Sequence, residues 1–143
     1  MIKLIAIDLD GTLLNSDKKI PDENVKAIQK AAKAGVKIVL CTGRPKSGIL
    51  PYFERLGLTD EEYIIMNNGC SIYNTKNWEL VSYAQVNNDE LDKLDQAVEG
   101  YPEVCLTLTG ENIIMPLEAK CQNWFNMMQG LFSIQLKLLA LMN

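Results

Sequence analysis

Two aspartates near the start of the chain are the residues best suited to carry chemistry. Asp8 and Asp10 follow a short apolar run over residues 2–7 and precede Gly11, which permits a sharp turn. Side chains two positions apart on an extended chain point to the same side, so the two carboxylates are expected to leave the strand end together. Their mutual repulsion would be relieved by Mg²⁺, which prefers oxygen ligands and also bridges to phosphate. One carboxylate could then attack phosphorus while the other handles a proton.

The alternative interpretation of this segment is an ordinary turn at a strand end, because Asp and Gly are common turn residues. The apolar run before Asp8 and the sequence Thr12-Leu13-Leu14 after Gly11 favour the catalytic interpretation.

Two further polar segments follow apolar runs and contain donors that suit a phosphate oxygen. Thr42-Gly43-Arg44-Pro45 follows Val36–Leu40 and offers a hydroxyl, a Gly-flanked amide and a guanidinium. Asn67-Asn68-Gly69 follows Tyr63–Met66 and offers amide donors. Either segment alone is also a common turn signal. All three polar clusters nevertheless fall at strand ends, where ligands of open α/β sheets bind.

The elements that must position these clusters alternate along the chain, which predicts an α/β fold with a doubly wound parallel sheet and right-handed crossovers. Strands are predicted over 2–7, Val36–Leu40 and Tyr63–Met66, and helices over Asp22–Ala34 and Ser47–Leu56, the latter containing Pro51. The first strand is expected to be buried on both faces. Further predictions are a hairpin of Ser71–Asn74 with Leu80–Val86, a helix over Glu90–Val98, and strands over Val104–Leu108 and Asn112–Met115. A helix over Leu117–Gln129 and an alternating strand from Phe132 to Leu138 complete the predicted elements.

Composition excludes several classes of function. The net charge of −4 and the lack of a basic stripe argue against a nucleic-acid partner. The chain has no histidine, which excludes His general bases, Ser-His-Asp triads and His-bearing zinc sites. No apolar run approaches a membrane span. The four widely spaced cysteines, Cys41, Cys70, Cys105 and Cys121, are expected to be reduced thiols of a cytoplasmic protein.

The stretch Ile5–Leu14, with Asp8-Leu9-Asp10-Gly11-Thr12 at its centre, resembles the first signature of the haloacid dehalogenase (HAD) superfamily. With Thr42-Gly43-Arg44-Pro45 and Asn67-Asn68-Gly69 at these spacings, the chain resembles the Cof-type phosphatases of that superfamily. The resemblance implies a Rossmann-like core followed by an α+β cap. Residues 1–84 would be the N-terminal half of the core and 85–143 part of the cap, and the C-terminal half of the core would be absent.

The resemblance also implies a role for each matching residue. Asp8 would be the nucleophile that forms an aspartyl-phosphate, and Asp10 would protonate the leaving group and then activate water. Mg²⁺ would be held by the Asp8 carboxylate and the Asp10 backbone carbonyl. Phosphate would be bound by Thr42, with Gly43, Arg44 and Asn68 nearby, and by backbone contacts of Gly11 and Thr12. The expected substrate is a small phosphorylated metabolite such as a sugar phosphate.

Two catalytic features of the family have no match in this sequence. One is a Lys, later in the chain, that neutralises the nucleophile and the phosphate, and the other is an acidic loop of the Gly-Asp-x-x-x-Asp kind that completes the Mg²⁺ ligands. The chain contains no Gly-Asp dipeptide and no acidic residue after Glu118, and Lys120 and Lys137 stand in other contexts. Weaker Mg²⁺ binding and impaired turnover are therefore expected. Three explanations remain open: a fragment or altered reading frame of a longer phosphatase, which we favour, residues supplied by another chain, or a catalytically silent phosphate-binding or oligomeric remnant.

The apolar segment Leu131–Met142 also has more than one interpretation. It could be an ordinary core strand or helix, a surface through which a homo-oligomer forms, or a tail whose partner segment is lost.

Overall fold

The computed structural model of the chain describes residues 1–58, 61–101, 103–111 and 114–116. The chain divides into two compact units, Met1–Asn87 and a second that begins at Asn88. We describe each unit by itself.

The first unit is a five-stranded sheet with two helices, in the order β1 (Leu4–Asp8), α1 (Asp22–Lys33), β2 (Lys37–Cys41), α2 (Lys46–Leu56), β3 (Tyr63–Met66), β4 (Ser71–Asn74) and β5 (Glu79–Tyr83). The strands lie side by side in chain order. β1, β2 and β3 are parallel, whereas β4 and β5 are antiparallel additions. The predicted α/β, Rossmann-like fold is thus confirmed, and the predicted elements of this unit differ from the observed ones only at their ends.

Both helices end at glycines in the left-handed region. Gly35, just after α1, has φ 83°, and Gly57 closes α2 with φ 59°. Pro51 lies inside α2, as expected. The helices and the sheet enclose one apolar core, formed by Leu9, Leu13, Leu14, Ile20, Val25, Ile28, Ile38, Leu40, Ile49, Leu56, Ile64, Met66 and Tyr73.

The prediction that the first strand is buried on both faces is wrong for the described structure. Ile5 and Ile7 are half-buried on one face of β1, whereas Leu4 is 54% exposed and Ala6 is exposed. The physical reason is position, because β1 is the edge strand of the described sheet and has β2 as its one neighbour there. β2 lies between two strands, and its Ile38, Val39 and Leu40 are buried.

A buried carboxylate, absent from the sequence-based predictions, ties three strands together. Glu62 is 2% exposed, and its Oε2 accepts the backbone N–H of Ile38 at 2.9 Å. The backbone of Glu62 pairs with Thr75, whose N–H donates to the Glu62 carbonyl at 2.9 Å and whose hydroxyl accepts the Glu62 N–H at 3.0 Å. Glu62 therefore fixes the start of β2 against the start of β3 and the segment after β4.

The second unit contains α3 (Asn88–Val98) and an antiparallel pair, β6 (Thr107–Thr109) and β7 (Ile114–Pro116). The predicted helix is confirmed, and both predicted strands are present, each ending one residue beyond its predicted end. The predictions for residues from Leu117 onward, including the apolar segment, lie outside the described residues. The assignment of this unit to a cap stays a prediction. In the described part of the chain, no helix has the length and apolar character needed to cross a membrane.

The described cysteines differ in whether their thiols are free or disulfide-bonded. Cys41 and Cys70 are free thiols, as expected. Cys105 is disulfide-bonded, so the prediction of a reduced thiol is wrong at this position. Spacing along the sequence does not report which thiols approach each other in space.

Candidate active site

A tight turn directly after β1 presents the two aspartates. Residues Leu9–Leu13 form a single wide turn, closed by a 2.9 Å bond from the Leu14 N–H to the Leu9 carbonyl. Gly11 has φ 80°, which supplies the sharp bend that the sequence predicts. Leu9 is fully buried and Leu13 is 5% exposed. These two leucines anchor the turn in the core and leave the polar side chains between them at the surface.

Asp8 is the last residue of β1 and has an exposed side chain. Its Oδ2 accepts the hydroxyl of Thr12 at 3.1 Å. Asp8 also lies beside Cys41 in the β1–β2 register. Burial, and next the charge of Asp8, raise the pKa of the Cys41 thiol. Cys41 therefore stays protonated at neutral pH, which supports its interpretation as a packing residue rather than a nucleophile.

Asp10 is held by two cations. Arg44 donates from Nε to Oδ2 at 2.7 Å and from Nη2 to Oδ1 at 2.8 Å, and Lys18 Nζ lies 3.0 Å from Oδ1. The hydrogen bond from Arg44 is the main cause that lowers the pKa of Asp10 to about 2, with Lys18 adding to it and burial opposing it. The sequence suggested two unpaired carboxylates that need a metal to relieve their repulsion. For Asp10 this expectation is wrong, because protein cations already neutralise it.

Arg44 is 5% exposed, and its donors are engaged within the protein. Besides Asp10, its Nη1 lies 3.3 Å from both the Gly48 carbonyl and the Tyr52 hydroxyl, and the guanidinium lies 5.0 Å from the centre of the Tyr52 ring. The pKa of Arg44 is raised, mainly by its bond to Asp10. A bidentate contact of Arg44 with phosphate would require it to leave Asp10, and this contact stays a prediction.

The loops after β2 and β3 are joined by main-chain bonds. The Asn68 N–H donates to the Thr42 carbonyl at 3.1 Å, and the Asn67 N–H to the Arg44 carbonyl at 3.2 Å. Thr42 is 6% exposed, and its hydroxyl oxygen accepts the Arg44 N–H at 3.1 Å. Gly43 is close to the Asn68 side chain, because a Cβ at this position would lie 2.7 Å from Asn68 Oδ1.

The predicted residues therefore lie on three loops that follow parallel strands and meet at one edge of the sheet. Asp10 and Arg44 join the first two loops, and Thr42 and Asn68 join the second and third. Gly11 and Thr12 lie in the first loop beside Asp8. Sequence reasoning missed Lys18 and Tyr52 as partners of this site. A signal for Lys18 was present, because Asn15 begins a turn-forming polar segment shortly after Asp10.

The described residues present a small set of oxygen ligands for Mg²⁺. No group of three or more His, Cys, Asp or Glu residues in the described ranges could hold a metal ion. Asp8 offers a carboxylate, whereas the carboxylate of Asp10 is paired with cations. The Asp10 backbone carbonyl as a second ligand, which the family resemblance implies, stays a prediction. This set fits Mg²⁺, because that ion commonly binds through one or two carboxylates and completes its shell with water and substrate phosphate.

Comparison with known proteins gives one consistent result. The family model described as haloacid dehalogenase-like hydrolase matches residues 5–136. The chain is 46% identical over 95 residues to YxeH of Bacillus subtilis, which covers 66% of this chain and 35% of that protein. It is 41% identical over 93 residues to the 5-amino-6-(5-phospho-D-ribitylamino)uracil phosphatase YcsE of the same organism, covering 65% of this chain and 36% of that protein.

A solved structure agrees with these relatives. A haloacid dehalogenase-like hydrolase from Bacteroides thetaiotaomicron superposes with a TM-score of 0.75 at 25% identity, over 94% of this chain and 50% of that one. The chain thus spans about half of this solved structure and about a third of the curated relatives.

Proposed function

Because this chain belongs to the haloacid dehalogenase-like hydrolase family and resembles its Cof-type members, we propose that it is a Mg²⁺-dependent phosphatase of small phosphorylated metabolites, with Asp8 as the nucleophile. The observation that carries the proposal is the meeting of three loops at the carboxyl edge of parallel strands, with the exposed carboxylate of Asp8 at that edge. Ligands of open α/β sheets bind at this position.

The proposed reaction has two steps. In the first, an oxygen of the Asp8 carboxylate attacks phosphorus, an acyl-phosphate bond forms, and the phosphate ester bond breaks. The leaving oxygen takes a proton. In the second step, water attacks the phosphorus of the aspartyl-phosphate, a proton leaves that water, and inorganic phosphate and free Asp8 are regenerated. When bound, Mg²⁺ supplies positive charge that offsets the negative charge of the transferring phosphoryl group.

Asp10 is the proposed acid and base in these steps. Its low pKa, caused mainly by Arg44, means that it is ionised at neutral pH, the form required to accept a proton from water in the second step. Donating a proton in the first step requires protonated Asp10. Loosening of the Arg44 bond would favour that form, because this bond lowers the pKa most.

Phosphate binding is proposed for donors on the three loops that follow β1, β2 and β3. They are the hydroxyl of Thr42, the backbone amides of Gly11, Thr12 and Gly43, the side-chain amide of Asn68, and the guanidinium of Arg44. Main-chain bonds between the second and third loops support this proposal, because they hold Thr42 and Asn68 together before a ligand arrives.

The proposed substrate is a small phosphate monoester such as a sugar phosphate. One relative is named for a substrate that carries its phosphate on a ribityl chain, which supports a polyol or sugar phosphate for this chain as well. We further propose that residues 85–143 correspond to part of a cap.

Phosphate release from p-nitrophenyl phosphate with Mg²⁺ tests the proposal, using the wild type beside Asp8→Asn. We expect Asp8→Asn to lower kcat by roughly 10³-fold or more, because an amide cannot form the acyl-phosphate. Asp17→Asn is the matched control, since Asp17 is an exposed aspartate nearby. Phosphate release by Asp8→Asn at the rate of the wild type and of Asp17→Asn would show that Asp8 is not the nucleophile.

A second candidate is a phosphate-binding protein without turnover. It is favoured by the pairing of Asp10 with Arg44 and Lys18, which leaves Asp8 as the one carboxylate that the described turn offers to a cation. Saturable phosphate binding without phosphate release in any variant would identify this function.

A further inference from the structure

We propose that Lys18 is a substrate-positioning residue that contacts the phosphate group of the substrate from the side of Asp10. This inference rests on the proposed function. It gives a phosphate-binding role to Lys18, to which the family resemblance gave no role. The ligand class is a phosphate monoester or inorganic phosphate.

The loop around Lys18 is built to present its side chain. Asn15 Oδ1 accepts the N–H groups of Asp17 at 3.1 Å and Lys19 at 2.9 Å. The Asn15 N–H donates to the Lys19 carbonyl at 3.0 Å, and the Lys18 N–H to the Asn15 carbonyl at 3.0 Å. Lys18 has φ 57°, a left-handed backbone conformation that residues other than glycine rarely adopt. These bonds keep Lys18 in that conformation, and its ammonium lies at Asp10.

The position of the ammonium suits an incoming anion. Lys18 Nζ lies 3.0 Å from Asp10 Oδ1, the same oxygen that accepts Arg44 Nη2 at 2.8 Å. Arg44 alone matches the charge of Asp10, so Lys18 brings a second positive charge to this carboxylate. An ammonium has three donors, and the hydrogen bonds found for it in the described residues use one. A phosphate oxygen could therefore bind Lys18 while its contact with Asp10 persists.

Accessibility distinguishes the two cations. The side chain of Arg44 is 5% exposed, whereas that of Lys18 is 42% exposed. A phosphate that approaches Asp10 from solvent therefore meets Lys18 without any rearrangement of the buried guanidinium. The competing interpretation is an exposed ion pair that merely holds the loop, and such pairs contribute little to stability.

Binding of inorganic phosphate to the 143-residue chain with Mg²⁺, measured by titration calorimetry, tests the proposal. We expect Lys18→Met to weaken the affinity about tenfold, because a charge-assisted hydrogen bond to phosphate is lost. Lys18→Arg should retain most of the affinity. Lys19→Met is the matched control, because it removes the same charge from the neighbouring residue and should bind phosphate like the wild type.

The outcomes separate this inference from the proposed function. Equal phosphate affinity of Lys18→Met and Lys19→Met would overturn the role of Lys18, as would a lack of saturable phosphate binding by the wild type. A purely structural role predicts a lower unfolding temperature for Lys18→Met with unchanged phosphate affinity, which would also overturn the proposal. The proposed function is decided independently, by the turnover of the wild type against Asp8→Asn.

Discussion

At the scale of single residues, Asp10 has the most informative surroundings in the site. Its carboxylate accepts hydrogen bonds from a buried guanidinium and an exposed ammonium, from two different loops. Arg44, the stronger partner, also contacts Tyr52, so the ionised state of Asp10 is supported by the packing of α2. The pKa of Asp10 therefore depends on contacts that form only in the folded unit.

Asp10 should contribute to the pH dependence of stability in the metal-free protein. Its pKa is lowered from 3.8 to about 2, mainly by Arg44, so the folded state gains stability at pH values above 3.8 and loses that gain as the pH falls towards 2. We expect Asp10→Asn to lower the free energy of unfolding at neutral pH by about 1 kcal/mol, after allowance for partial exposure. The difference in the free energy of unfolding between the wild type and Asp10→Asn should become smaller as the pH is lowered.

Urea unfolding of the wild type, Asp10→Asn and Asp17→Asn at neutral and acidic pH measures this difference. If the difference in the free energy of unfolding between the wild type and Asp10→Asn were the same at every pH, the lowered pKa of Asp10 would not be its cause.

Gly43 is expected to matter through the side chain that it contacts. In Gly43→Ala, the new Cβ would lie 2.7 Å from Asn68 Oδ1 and displace that amide. Asn68 is exposed, so the displacement should cost the fold less than about 1 kcal/mol. Phosphate affinity should fall severalfold, because Asn68 leaves its position.

Titration with inorganic phosphate checks this prediction. Gly100→Ala is the control, since a Cβ at that position meets no atom within 4 Å. Unchanged phosphate affinity in Gly43→Ala would argue that Asn68 takes no part in binding.

The sequence predicted which residues belong to the site better than it predicted which of their side chains contact each other. Asp8, Asp10 and Thr42 were identifiable because each follows an apolar run. The pairing of Asp10 with Arg44 was not, because these residues are 34 positions apart and only the β1–β2 register brings them together. For Lys18, the polar segment from Asn15 indicated a turn, but a lysine does not predict the left-handed backbone conformation that brings its side chain to Asp10.

At the scale of elements, periodicity and glycine positions predicted the strand–helix order of the first unit. They did not predict that β1 has one exposed face, because the apolar run 2–7 is the same whether a strand is central or at an edge. They also did not predict the role of Glu62. A carboxylate is usually exposed, and its burial here follows from the backbone amide of Ile38, which needs an acceptor.

Glu62 should be important for stability. Glu62→Ala leaves the buried Ile38 N–H without its acceptor, and we expect the free energy of unfolding to fall by roughly 1–3 kcal/mol. Denaturant unfolding measures the change. Glu61→Ala, at an exposed neighbour, should change stability by less than about 0.5 kcal/mol. A similar effect of both substitutions would contradict the role of the buried bond.

At the scale of the whole molecule, the chain consists of two compact units, of which the first contains the candidate site. Residues 84–87 between β5 and α3 are exposed and lie outside any helix or strand. Val86 in this segment is 57% exposed. Segments of this kind are preferred sites for proteolysis.

Limited digestion with thermolysin should therefore cut before Val86 earlier than anywhere within β1–β5. Mass spectrometry of the early fragments identifies the site. Early cuts within β1–β5, with the bond before Val86 intact, would contradict the division into units.

The central claim, that Asp8 carries the phosphoryl group, is tested most directly by trapping the intermediate. The 143-residue chain is incubated with Mg²⁺ and a phosphate ester, the reaction is quenched in acid, and the phosphorylated residue is identified by peptide mass spectrometry. We predict one phosphoryl group on Asp8 of the wild type and none in Asp8→Asn. Phosphate release without phosphorylation of Asp8, or phosphorylation at another residue, would contradict the claim.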